Sequence, residues 1–344
     1  MRPATFRARL QSLSDWGFRV LPLDQALRDL ERGTLPPRAT VITFDDGFYG
    51  VRKHALPLLQ EFGFPATLYL TTYYCLKETP VFRLAVQYMF WKTNREELDT
   101  AGLGWGEGRR VSLRDSEERM RVMWEIITLG ETGCDEEDRC RLGKTLGERL
   151  GVDYATIVQA RGLSLVNAQE IRELAASGIS IQLHTHRHRF PGEREAATRE
   201  IADNAVTVWR MVGEWPQHFS YPDGDRREEQ EAWLREVGIR SAVTAEAGVN
   251  HGGTPRLTLK RRLDGEHVTP IEFEAEMSGY TELVRRALRW CSGLWRRWAK
   301  AAATVSVQLM PRESPVDGTS RVSPRRNRAN SASARATRLR RGTP

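Results

Sequence analysis

The chain has 344 residues, 40% of them apolar, so it is long enough to bury one large core or two medium ones. Its net charge of +7 is concentrated at the C-terminus, because residues 281–344 carry fifteen Arg or Lys against three acidic residues, which leaves −5 for residues 1–280. The basic character therefore belongs to the C-terminal segment and excludes no class of substrate for the rest of the chain.

The sequence contains no obvious signal for membrane insertion or export. No stretch approaches the ~20 consecutive apolar residues of a membrane span, and the opening MRPATFRARLQSL lacks the apolar region of a signal peptide. As written, the chain is expected in the cytoplasm, with a peripheral position at the inner face of the membrane as a further expectation. An N-terminal extension would change this expectation.

The first 72 residues predict alternating helices and strands. Helices are predicted from Thr5, which can cap TFRARLQSL, and over DQALRDLERG, which ends at Gly33. The β-branched and aromatic residues 40–44 predict a strand that leads into Asp45 and Asp46. A helix over VRKHALPLLQEFG then leads to a second strand at 66–72.

The same alternation resumes after residue 162. A helix with Asn167 and Glu170 at capping spacing precedes the strand ISIQLH, and two further helices precede HFSYP and IRSAVTA. Between about residues 80 and 162, apolar residues at helical spacing predict a helical insertion instead. We therefore predict one α/β domain over residues 1–280, built on a parallel sheet.

The composition changes after Gly279. Residues 281–300 place Leu283, Trp290, Leu294 and Trp298 on one stripe and arginines on the other, which predicts a basic amphipathic helix within 281–310. Residues 311–344 are rich in Ser, Arg, Pro and Ala with few large apolar side chains, which predicts a disordered tail.

Two adjacent acidic residues follow the first strand of the predicted sheet. Side chains alternate along a regular strand, so Asp45 and Asp46 share a site only if the backbone leaves the strand there, which Gly47 permits. The alternative is an Asx turn that merely closes the strand. The DDG sequence alone leaves both interpretations open.

The sequence HTHRH follows another predicted strand. His184 and His188 have the spacing of paired zinc ligands, whereas His186 is expected to point elsewhere. Solvated histidines in a polar loop are the alternative. Because a carboxylate from another strand end is available at the same rim, we favour a metal site of two histidines and one carboxylate with an open position, and the second Asp can then act as a base.

Taken together, TFDDG, HTHRH and FSYPDG resemble the three motifs of the polysaccharide deacetylases of the NodB-homology class, over roughly residues 3–280. The resemblance implies a distorted, incomplete (β/α) barrel. It also implies that Asp45 is the catalytic base and that Asp46, His184 and His188 bind the metal. In the third motif, Tyr221, Pro222 and Asp223 would bind substrate, with a backbone amide near Asp223 stabilising the oxyanion.

The resemblance implies a hydrolase that removes N-acetyl groups from an amino-sugar polysaccharide or related glycan. Metal-bound water, activated by Asp45, would attack the amide carbonyl. The cofactor would be a divalent metal, with zinc as the first expectation, although cobalt and nickel suit the same ligands.

Three features depart from the family pattern. Ser220 and Asp223 stand where many members carry Arg and Tyr, so the contact that orients the base is not evident. The late Leu-His motif that supplies the general acid is not recognisable, which leaves His251 and His267 as candidates by elimination. Finally, the upstream strand ending in Tyr-His is not found, which implies either an upstream start or an open barrel edge.

Two other functions remain as alternatives. One is an inactive or carbohydrate-binding member of the same fold. The other is a peripheral membrane or nucleic-acid binder that acts through the basic tail, whose charge attracts phosphate. No specific nucleic acid is expected, whereas residues 281–300 are expected to lie on an anionic membrane.

Overall fold

Residues 1–288 are described by a computed structural model, except for the side chain of Glu107. The helices in this part are α1 Pro3–Asp15, α2 Leu23–Arg32, α3 Leu56–Phe62, α4 Tyr73–Lys77, α5 Phe82–Lys92, α6 Ser116–Gly133, α7 Glu136–Leu150, α8 Tyr154–Ala160, α9 Ala168–Ala176, α10 Arg194–Val212, α11 Glu228–Glu236 and α12 Pro270–Met277. The strands are β1 Arg19–Val20, β2 Ala39–Thr40, β3 Ile42–Phe44, β4 Ala66–Leu70, β5 Glu97–Asp99, β6 Arg110–Ser112, β7 Ile179–Leu183, β8 His218–Ser220 and β9 Ser241–Val243.

A five-stranded parallel sheet forms the centre of the fold. Its strand order is β3-β4-β7-β8-β9, and all neighbouring strands are parallel. The connections between them contain helices, as parallel pairing requires. A short segment around Leu259 runs beside β9, because Leu259 forms a parallel bridge with Val243. This curled sheet with surrounding helices confirms the predicted incomplete (β/α) barrel.

Apolar side chains cover both faces of the sheet. On the outer face, residues of β4 and β7 pack against α1, α3, α9 and α10 in one large buried cluster. On the inner face, Tyr69, Val243 and Leu259 pack with Leu23 in a smaller cluster. Because both faces of the sheet are covered, all five residues of β4 are buried and their burial does not alternate.

The segment between Thr79 and Gly162 forms its own buried cluster around α5, α6, α7 and α8. It also contains an antiparallel pair, β5 and β6, which helical spacing did not predict. The structure shows that α6 and α7 are each capped by an aspartate side chain, Asp115 and Asp135. The stretch is therefore a helical layer with a small hairpin.

The starts of two helices and the division of the chain near its C-terminus were also predicted from the sequence. The capping box of Asn167 and Glu170 is present at the start of α9. Helix α1 instead begins at Pro3, so Thr5 is no cap, and its hydroxyl donates a hydrogen bond to Glu266. The chain divides into two compact units, Met1–Val284 and Arg285–Pro344. Residues 280–288 are helical, and the rest of the predicted amphipathic helix and the tail at 311–344 lie outside the described residues.

No helix within residues 1–288 is both long and apolar enough to cross a membrane.

Candidate active site

Three side chains from two strand ends converge at the C-terminal rim of the sheet. Asp46 Oδ1 lies 3.2 Å from His188 Nε2 and 3.4 Å from His184 Nε2. The ligand atoms of all three residues lie within 4.8 Å of one another. Two imidazole nitrogens and one carboxylate oxygen form the donor set of a catalytic zinc site, which keeps a position open for water or substrate. The residues present therefore fit a divalent metal.

The backbone around this cluster takes unusual conformations. Asp46, Thr185 and His188 all have positive φ angles, of 66°, 64° and 55°. Such angles are uncommon for non-glycine residues and are rare for a β-branched one such as Thr185. The Thr185 hydroxyl accepts a hydrogen bond from the amide of Arg189, which supports the turn. The chain does leave the strand after Phe44, which allows adjacent aspartates to face the same region.

The orientation of His184 is set by a backbone carbonyl. Its Nδ1 lies 2.8 Å from the carbonyl oxygen of Ser220, and the ring is only 2% exposed. A carbonyl oxygen can only accept, so the proton is on Nδ1 and the lone pair of Nε2 faces Asp46. This is the arrangement in which a histidine is prepared to bind a metal through Nε2.

A buried asparagine connects the ends of β4 and β7 next to the site. The side chain of Asn204 accepts a hydrogen bond from the His184 amide and donates to the Leu70 carbonyl and the Thr72 hydroxyl. The same Thr72 hydroxyl lies 2.8 Å from Nδ1 of His186. His186 is therefore engaged in this network and lies outside the metal-type cluster.

Asp46 and the histidines of the cluster shift one another's pKa values. Burial alone would raise the pKa of Asp46, but its interactions with the two neighbouring imidazoles, His184 and His188, outweigh burial and hold that pKa far below its ordinary value. For His188, burial would lower the pKa, whereas the hydrogen bond to Asp46 raises it, and the net result is a raised pKa. The carboxylate thus favours positive charge at this position, whether from a proton or from a metal ion.

Asp45 is held by a different set of contacts. Arg261 makes two hydrogen bonds to its carboxylate, from Nη1 to Oδ1 and from Nη2 to Oδ2, each 2.8 Å long. The Ser220 hydroxyl donates to Oδ2 at 3.2 Å and accepts from Arg261 at 3.1 Å. The side chain of Asp45 remains 27% exposed. The carboxylate is therefore fixed in orientation while it stays accessible from the groove.

Arg261 was not identified from the sequence. The Leu259 amide donates to the Ala242 carbonyl, and the Arg261 amide donates to the Glu246 carbonyl, so the segment follows β9 to the rim. Nε of Arg261 then donates to the carbonyl of Thr244. The apolar residues of RLTL ahead of KRRL are the only local signal, and they do not indicate which strand the segment joins.

The third motif places its residues on different sides of the sheet. Ser220 faces Asp45, and the next side chain, Tyr221, is 0% exposed among Phe190 and Phe219 in the outer core. Burial raises the pKa of Tyr221. Pro222 is also buried, whereas Asp223 is exposed with φ 56°. Of the three predicted substrate-binding residues, the structure brings only Asp223 to an open surface, because side chains alternate along β8.

The two histidines considered for the general acid are both exposed loop residues, His251 and His267. Among the described contacts, neither reaches Asp45 or Asp46. The part of the chain that the structure describes therefore does not identify a histidine for the leaving amine.

Comparison with known proteins agrees with the fold and motifs. A sequence model described as "Polysaccharide deacetylase" matches residues 32–97 and 148–242, and the unmatched stretch lies within the insertion. No curated protein sequence matches significantly. The deacetylase PplD of Streptococcus pyogenes, solved in complex with acetate, is 16% identical with a TM-score of 0.51, covering 80% of this chain and 86% of that one. IcaB from Ammonifex degensii is 19% identical with a TM-score of 0.49, covering 81% and 88%.

The similarity to PplD supports the barrel fold, and the match of the family model spans both strand ends that supply Asp46 and His184. Over residues 32–97 and 148–242 the chain is therefore similar to the polysaccharide deacetylases, a family of hydrolases of non-peptide carbon–nitrogen bonds.

Proposed function

We propose that this chain is a metal-dependent deacetylase that removes N-acetyl groups from an amino-sugar glycan. The observation that supports this most directly is the convergence of Asp46, His184 and His188 within 4.8 Å, next to an accessible Asp45. The three convergent residues would hold a divalent cation, with zinc as the first expectation and cobalt and nickel also suited to the set. Such a cation supplies Lewis-acid polarisation of the amide carbonyl and lowers the pKa of a water molecule.

Groups of the protein itself would carry out the proton transfer, the orientation of the base and the binding of the oxyanion. Asp45 would accept the proton of the attacking water, and the bidentate contact from Arg261 would hold its carboxylate plane during the transfer. The hydrogen bond from His184 Nδ1 to the Ser220 carbonyl would orient the ring so that Nε2 faces the metal position. A backbone amide of the turn near Asp223 would donate to the oxyanion.

The test is the metal content of the purified chain together with acetate release from N-acetylglucosamine oligomers. We expect His184→Ala and Asp46→Ala to lose the metal and activity, and Asp45→Asn to keep the metal but lose at least about 10²-fold in kcat. His54→Ala removes an exposed histidine from another part of the chain and serves as the matched control. Metal retention by both ligand variants, or no acetate from the metal-loaded chain, would contradict the proposal.

A further inference from the structure

The insertion contacts the same rim that holds the metal-type cluster. At the start of α7, Glu136 Oε2 accepts a hydrogen bond from the Tyr73 hydroxyl at 3.2 Å, and Tyr73 follows β4. In α6, Glu131 lies 3.5 Å from the guanidinium of Arg189, the residue after His188. The insertion is thus connected to the ends of β4 and β7 at two points.

Arg83 of α5 extends this contact to an exposed tryptophan. Its guanidinium makes two hydrogen bonds to Glu131, of 3.0 and 2.8 Å, and lies 5.7 Å from the ring centre of Trp124. Trp124 is seven residues before Glu131 on α6, so both occupy one face of that helix. With Arg83 beside it, the Trp124 side chain is still 41% exposed and can contact a ligand.

The charge of the exposed Asp223, in the third motif, also acts on Arg83. The pKa of Arg83 is raised chiefly by its hydrogen bonds to Glu131, and the negative charge of Asp223 contributes to the same shift. The contacts run from Arg189, next to His188, through Glu131 to Arg83 and on to Trp124, and Asp223 adds a negative charge to this surface. Polar groups that can bond to hydroxyl and acetamido groups lie between the cluster and a flat apolar ring.

The charges on this surface cancel. Arg83 and Arg189 are positive, and Glu131 and Asp223 are negative, so the surface has polar groups but no net charge. A neutral ligand suits such a surface better than a polyanion, since electrostatic complementarity selects partners by charge. Ligand sites commonly combine an aromatic surface with a few fixed polar groups.

We propose that Trp124 and Arg83 form a binding subsite for a neutral, N-acetylated oligosaccharide, which holds sugar units beyond the one being deacetylated. The exposed indole face would pack against the apolar face of a sugar ring. Arg83, held by Glu131, would donate to a hydroxyl or carbonyl oxygen of the same unit. The inference rests on the proposed function and adds that the insertion selects long, uncharged chains.

The test compares Trp124→Ala with Trp91→Ala, a tryptophan of the same insertion that is 75% exposed and pairs with Tyr88. The probes are the pentamer and the dimer of N-acetylglucosamine. We expect Trp124→Ala to raise KM for the pentamer about tenfold with kcat unchanged, and to leave the dimer unaffected. Trp91→Ala should change neither substrate, and Trp124→Phe should lie between wild type and Trp124→Ala.

Calorimetric binding of the pentamer to the zinc-loaded chain separates the two proposals, because it does not depend on turnover. Weaker pentamer binding in Trp124→Ala alone, at low and at high salt, supports the subsite even if no acetate is released. Equal binding and equal KM in the Trp124→Ala and Trp91→Ala variants, or no pentamer binding by the wild-type chain, would overturn it.

Discussion

Asp45 and Asp46 are adjacent in sequence and have entirely different partners. Asp46 faces two histidines, whereas Asp45 faces a guanidinium and a hydroxyl. The positive φ of Asp46 takes the backbone out of the strand, so both carboxylates reach the same rim of the sheet and still meet different partners. Two chemically identical groups thereby take the positions expected of a metal ligand and of a base.

A substitution of Arg261 tests whether the fork-shaped contact to Asp45 matters. Because Lys keeps the charge but cannot make two parallel hydrogen bonds, we expect Arg261→Lys to lower kcat about 10- to 100-fold with little change in KM. Arg261→Met should lower kcat further, because the partly exposed Asp45 carboxylate then loses both its ion pair and the contact that orients it. Steady-state kinetics on the pentamer measures both values.

The matched control for this prediction is Arg256→Lys, which alters an ion pair with Glu31 on another part of the fold. Its kcat should equal that of the wild type. If Arg261→Met retained full kcat, the positioning role of Arg261 would be wrong.

At the scale of elements, the turn after β3 depends on a glycine in close contact. Gly47 has φ 96°, and a Cβ atom there would overlap Cδ1 of the buried Leu70. We expect Gly47→Ala to lower the free energy of unfolding by about 2 to 4 kcal/mol, from backbone strain and overpacking together. Urea unfolding with an unchanged m-value measures this loss.

The variant Gly63→Ala distinguishes backbone strain from overpacking as causes of the stability loss. Gly63 has φ 65° at the end of α3, and a Cβ atom there would meet nothing within 4 Å. This variant should lose only the conformational cost, about 1 kcal/mol. Equal losses in the two variants would show that the contact with Leu70 has no energetic effect.

The elements also show which parts of the site were predictable. Asp46, His184 and His188 follow strands with strong local patterns, so their meeting at one rim followed from the sequence. Arg261 did not, because it is 216 residues from Asp45 and depends on a segment that joins β9 at Leu259. The resemblance to the family predicts Tyr221 in the substrate groove. Alternation along β8 instead directs Ser220 toward Asp45 and buries Tyr221 in the outer core.

At the scale of the whole molecule, contact with an anionic membrane remains a prediction. Leu283 begins the predicted stripe and is 66% exposed, and the part of the stripe after residue 288 lies outside the described part of the chain. We expect the full chain to float with phosphatidylglycerol vesicles and not with phosphatidylcholine vesicles, and Leu283→Glu to weaken binding about tenfold. Val158→Glu, on α8, is the control.

Flotation assays decide this prediction directly. Similar partitioning to both lipid compositions, or an unchanged affinity in Leu283→Glu, would remove the membrane interpretation. Activity on soluble oligomers should be the same in all these variants, because the substitutions are remote from Asp45 and Asp46.

The ion pair between Asp45 and Arg261 joins the two edges of the five-stranded sheet. Asp45 follows β3, at one edge of the sheet, and Arg261 follows the segment that runs beside β9, at the other edge. No ladder of backbone hydrogen bonds joins these two edges in the described chain, so the ion pair is a direct side-chain link across the gap in the barrel. As the proposed base, Asp45 would stay aligned only while the two edges keep this separation, so we expect the catalytic rate to depend on barrel closure.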